Sequence, residues 1–92
     1  MRRDAKRDAN EREIIDALEA AGCLVTQLSG KGLPDLLVYR HATGRLHLIE
    51  AKNDEWRGRL TPEQIAFIAR GYPVSVVVDK YEALHAVGLR KG

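Results

Sequence analysis

The segment Gly30–Lys52, GKGLPDLLVYRHATGRLHLIEAK, decides the fold. Pro34-Asp35 opens one apolar run, Glu50-Ala51-Lys52 closes the next, and His41–Gly44 between them reads as a turn. Two short strands joined by a hairpin run back alongside each other, so the start of the first lies beside the end of the second. Asp35, Glu50 and Lys52 are therefore expected to meet at one end of a sheet. Successive strand side chains point to opposite faces. Leu46, Leu48, Glu50 and Lys52 share one face and His47, Ile49 and Ala51 the other, which places the two charged groups just past two leucines expected in the core.

Two carboxylates and an ammonium at one sheet end are costly to assemble unless something offsets the like charges. A hard divalent cation does this, since Mg²⁺ takes oxygen ligands, keeps several waters and binds through one or two carboxylates plus substrate phosphate. Taken singly, Pro-Asp is an ordinary turn starter and Glu-x-Lys an ordinary solvated strand end. Their order and separation single them out.

Three runs, Gly32-Leu33-Pro34-Asp35-Leu36-Leu37-Val38, Leu48-Ile49-Glu50-Ala51-Lys52 and Leu60-Thr61-Pro62-Glu63-Gln64, stand in that order. Together they resemble the pattern GxPDLLV…LIExK…LTxxQ of the VRR-NUC branch of the PD-(D/E)XK nuclease superfamily, found in small phage proteins and as a domain of larger repair nucleases. The likeness spans Asn10 to Leu84. It implies an α/β fold with a restriction-endonuclease-like core, elements in the order α-β-β-β-α-β-α, and a small mixed sheet flanked by helices. It also implies a metal-dependent DNA endonuclease, with stand-alone members similar to Holliday junction resolvases that work as homodimers.

On that resemblance Asp35, Glu50 and the backbone carbonyl of Ala51 would hold one or two Mg²⁺ or Mn²⁺ ions. Lys52 would hold or help deprotonate the attacking water, and Gln64 would stand near the site to orient water or phosphate. Related nucleases carry a metal-site glutamate on the first helix, a role that helical phase carries onto Glu11, with Glu13 as the rival.

The chain has 92 residues, 45% hydrophobic and 30% charged, with a formal net charge of +2 and a pI near 8.9. That length makes one domain, and a domain this small buries a modest share of its surface, so a partner subunit would add to its core. The mildly basic balance suits a polyanion such as duplex or branched DNA. A single cysteine, Cys23, excludes an intrachain disulfide and reads as a small buried hydrophobe. No apolar run approaches the roughly 18 residues of a membrane span, and the charged N-terminus lacks a signal-peptide core. These features point to a cytoplasm-like compartment with no membrane partner, and the resemblance implies that of a bacterial or phage-infected cell.

Residues 1–8, MRRDAKRD, mix both charges without apolar periodicity and read as a flexible tail, followed by a single domain over residues 9–88 and a loose C-terminus over 89–92. From Ala9 to Ala21, Ile14, Ile15, Leu18 and Ala21 fall on one helical stripe, with Asp8 as N-cap, Glu11 at capping-box spacing and Gly22 as C′ residue. At about 100° per residue Glu11 lies within that stripe and Glu13 to its side. Glu11 is thus either the N3 member of the box or part of the acidic cluster.

Strands are expected at Leu24–Leu28, Asp35–Arg40 and Arg45–Ala51, and an interior strand at Val74–Asp79. Thr61 and Pro62 open a second helix as N-cap and N1. Ile65, Phe67, Ile68 and Ala69 give it a packing face, Gly71 ends it, and Tyr81–Val87 reads as a short last helix.

Lys31, in a glycine-rich loop, and Trp56, flanked by Arg57 and Arg59, are candidate nucleic-acid contacts, because an aromatic among arginines can stack a base. A solvated lysine and a core-capping tryptophan are the structural alternatives. His41, His47 and His85 lack zinc-site spacing, and Ser29 and Cys23 lack a nucleophile-plus-base arrangement. The glycines around Gly30 follow neither a P-loop nor a dinucleotide fingerprint. Readings from other classes are a non-catalytic nucleic-acid-binding module on the same fold and a structural protein of a phage particle. Within the nucleases, a flap or nicking enzyme competes.

Overall fold

A computed structural model of the chain describes residues 5–53 and 59–89, with side chains from Asn10 onward. Helix α1 spans Ala5–Ala20. It begins before the expected Ala9, because Ala5, Lys6 and Arg7 are good helix formers, and Asp8 therefore lies inside it rather than capping it. Gly22, at φ +92, turns the chain out of the helix, and its N–H donates to the Glu19 carbonyl at 3.1 Å. A residue without Cβ adopts that left-handed conformation at no steric cost.

Strands β1 (Cys23–Gln27), β2 (Leu36–Arg40) and β3 (Arg45–Ala51) follow, then helix α2 (Pro62–Ala69), strand β4 (Val74–Val77) and helix α3 (Lys80–Ala86). The order α-β-β-β-α-β-α is the one the sequence implies. The sheet runs β1-β2-β3-β4. β1 with β2 and β2 with β3 are antiparallel. β3 with β4 is parallel, which requires the crossover that α2 supplies. β4 is an edge strand, not the interior strand expected from its valines, since β3 is its one neighbour among the described residues.

Residues paired across strands share a face. Val25, Leu36, Val38, Ile49 and Val77 lie on the same side, and with Ile14, Ile15 and Leu18 of α1 and Ala83 and Val87 at α3 they form the core. Leu46 and Leu48, expected in the core, lie on the opposite face, where Leu48 is half-buried and Leu46 is 65% exposed. Both faces of β3 are apolar in sequence, and the core is decided by where α1 and α3 sit.

α2 buries none of its residues, so its expected packing face is only half covered. At the opposite end of the sheet from Glu50, Arg40 reaches from β2 to the Val87 carbonyl at 3.0 Å, a cation placed at the C-terminus of α3, where the helix dipole favours it. Leu89, expected in a loose end, packs against the core, and its N–H donates to the Leu84 carbonyl at 2.9 Å. Among the described residues no helix is long and apolar enough to cross a membrane.

Candidate active site

Asp35 stands at the entry to β2 and Glu50 near the exit of β3, so the hairpin brings their backbones side by side. The Ala51 N–H donates to Asp35 Oδ2 at 2.8 Å, which fixes the aspartate against the end of β3. Among the described residues Asp35, Glu50 and Glu11 are the buried charged ones, at 7, 5 and 3% exposure. Burial pushes the Glu50 carboxyl above its ordinary value and the nearby Asp35 charge adds to the rise, while Lys52 and the hydrogen bonds from Lys52 and Gln64 oppose it. Two carboxylates held together away from water favour a proton or a cation between them.

Lys52 Nζ lies 3.2 Å from Glu50 Oε2 and donates to Gln64 Oε1 at 3.3 Å. Gln64 Nε2 donates to the same Glu50 Oε2 at 2.7 Å. Glu50 Oε2 therefore meets two donors, whereas Glu50 Oε1 is buried and has no hydrogen-bond partner among the described residues. An orphaned buried carboxylate oxygen is costly unless a ligand satisfies it, and hard oxygen donors suit a divalent cation. The residues present thus fit Mg²⁺ or Mn²⁺, with Asp35 and Glu50 as its carboxylates.

Glu11 is seven positions into α1 and cannot be the N3 residue of a capping box. Its buried carboxylate accepts from Gln27 Nε2 at 3.3 Å, and Glu13 is exposed. Its neighbour Asn10 donates to the Lys52 carbonyl at 3.4 Å, tying α1 to the same sheet end. Among the described residues no group of three metal-ligating side chains is gathered, so Glu11 does not join Asp35 and Glu50 in a common ligand set. Asn10, Gln27 and Thr61 were not legible as site residues: each is an ordinary polar residue whose partner is set by tertiary packing.

Lys31 is exposed and pairs with Glu63 at 3.6 Å in the first turn of α2. Trp56 and Arg57 lie outside the described residues, and Arg59 is exposed. His47 sits on the face opposite Glu50, where burial and then Arg45 and Arg40 lower its proton affinity. Gly32, Pro34, Glu50, Gln64, Phe67 and Val74 line a shallow pocket beside the acidic pair, covered on one side by α2.

Element order, the mixed sheet, and an acidic pair with a lysine at adjoining strand ends define a nuclease-type α/β domain. The fold is that of a VRR-NUC domain: the chain is similar to a solved structure described as "VRR_NUC domain", with a TM-score of 0.69 and 27% identity, over 91% of this chain and 96% of that one. No family model and no curated protein matches it.

Proposed function

We propose that the protein is a metal-dependent DNA endonuclease that hydrolyses phosphodiester bonds, selects branched DNA in the manner of a Holliday junction resolvase, and works as a homodimer in a bacterial or phage-infected cytoplasm. The observation that carries this reading is the buried Asp35–Glu50 pair, with Lys52 and Gln64 on one glutamate oxygen and nothing on the other. Asp35 and Glu50 would hold Mg²⁺ or Mn²⁺, the Ala51 carbonyl adding a neutral ligand and Glu11 assisting from outside that set through a bound water. A divalent cation held there would supply water activation near neutral pH and offset phosphoryl charge. Lys52 is placed to hold the attacking water and to balance charge as it builds up on the phosphate. Gln64 keeps Lys52 and Glu50 in register, and Lys31 and Arg59, with Trp56 and Arg57, contribute to gripping DNA.

The dimer is supported by the sheet face opposite the core. Leu24, Thr26, Leu37, Tyr39, Leu46 and Leu48 carry no charge, and Leu24 is 58% and Leu46 65% exposed. Such a face is complementary to its own copy across a two-fold axis, and paired sites would suit a junction that needs two cuts.

Incubating the protein with supercoiled plasmid and with a four-way junction, in Mg²⁺, Mn²⁺ or EDTA, tests the reading. Cutting that needs the metal is expected, and Glu50→Ala or Lys52→Ala should lower it at least a hundredfold with the fold retained by circular dichroism. Nicked plasmid with an intact junction would favour a nicking or flap enzyme. Binding without cutting would favour a non-catalytic module.

A further inference from the structure

α2 has no buried residue, so little of its position comes from apolar packing. Its first turn is held instead by a hydrogen-bonded chain that ends on the acidic centre. Thr61 Oγ1 accepts from the Gln64 N–H at 3.1 Å, and the Thr61 N–H donates to Gln64 Oε1 at 2.9 Å. These two bonds are a capping box. In such a box the third residue's side chain usually stops at the cap.

Here the side chain goes further, because an amide has both an acceptor and a donor end. Two donors, the Thr61 N–H and Lys52 Nζ, converge on Oε1, and they fix which end of the amide faces them. Nε2 is then left for Glu50 Oε2. A glutamate at this position would serve the cap and the lysine equally well but would have no hydrogen to give. The helix start thus sets the sense of the Gln64 amide, and the amide sets which oxygen of Glu50 stays open.

We propose that Thr61 is a positioning residue: by capping α2 and fixing Gln64, it aims the unpartnered Glu50 oxygen at a divalent cation. The inference rests on the metal-dependent reading above. It assigns to a surface hydroxyl a part in metal affinity that its distance from the carboxylates would not suggest.

Titration of the intact protein with Mn²⁺ by calorimetry, with no DNA present, tests it. Thr61→Ala should weaken Mn²⁺ roughly tenfold, the low end of what loss of a group behind a ligand causes, and Thr61→Ser should bind like the native protein. Thr61→Gly removes the hydroxyl at a position where glycine is well tolerated, so it carries the test if the alanine variant folds poorly. Asp79→Ala is the control, since Asp79 caps a different helix, α3, through the Glu82 N–H at 2.8 Å and does not hold Gln64. It should lower the melting temperature in EDTA as Thr61→Ala does, yet leave Mn²⁺ affinity unchanged.

Native affinity in both Thr61→Ala and Thr61→Gly would overturn the inference while leaving the nuclease reading intact. An equal loss in Asp79→Ala would overturn it too, by showing that any weakened cap has this effect. A native protein that binds no Mn²⁺ would overturn the metal-dependent reading and the inference together.

Discussion

Glu50 bears the conflict on which the site is built. Burial and the Asp35 charge raise its proton affinity, and Lys52 and Gln64 only partly counter them. A carboxyl whose folded pKa lies above its unfolded value adds stability that is fully present below the unfolded pKa and is lost as pH rises through the folded one. At pH 8 in EDTA the charged form is therefore a burden to the fold. Glu50→Gln should melt a few degrees higher than the native protein at pH 8, with the gap closing as pH falls toward 4; equal melting curves at every pH would show that Lys52 fully offsets the burden. The pairing of Asp35 with Glu50 was legible from strand alternation and the hairpin alone. The lone state of one glutamate oxygen was not, because it depends on an amide from another element.

At the scale of elements, the tightest fit is between the glycine loop and α2. A Cβ at Gly32 would lie 2.8 Å from the Glu63 carbonyl oxygen and 2.9 Å from Glu63 Cβ, and Gly32 has φ +84, so neither space nor backbone suits a side chain. Gly32→Ala should cost roughly 1–3 kcal/mol, read as a shift of the urea midpoint, and should slow DNA cutting because the first turn of α2 must move off the acidic pair. Unchanged stability and cutting would mean the loop yields freely. The sequence marked the start of α2 well, since Thr61-Pro62 is a strong local signal. Its apolar residues said less: Ile65, Phe67 and Ile68 read as a core stripe, whereas Phe67 and Ile68 are only half-buried and Ile65 is exposed. In the same way the run Leu46–Ile49 left two faces equally apolar, and only the helices flanking the sheet chose Ile49 over Leu46.

For the whole molecule, the uncharged sheet face is the feature that a chain with 30% charged residues would not leave open without a use. Leu46→Lys should leave the monomer folded, since Leu46 is mostly exposed, and should convert a dimer into a monomer by light scattering. A dimer that survives the change would place the contact elsewhere. Loss of paired junction cuts with single nicks retained would tie the two-fold arrangement to the substrate. Element order was legible because hairpin, capping and glycine signals punctuate the chain. The edge position of β4 was not, since strand order is a long-range property and Val74–Val77 has the same composition in either place.

The hold of Arg40 on the Val87 carbonyl, with Ala83 and Val87 completing the core, carries a consequence for biosynthesis. The hairpin that bears Asp35 and Glu50 is translated well before α3, and although α1 precedes it and covers part of its apolar side, Ala83 and Val87 complete that cover only once the last helix emerges and Arg40 of β2 reaches Val87. During translation, then, the core is closed only at the last step, and a message cut short ahead of Lys80 would yield a chain with its acidic pair encoded and Ala83 and Val87 missing from beneath it.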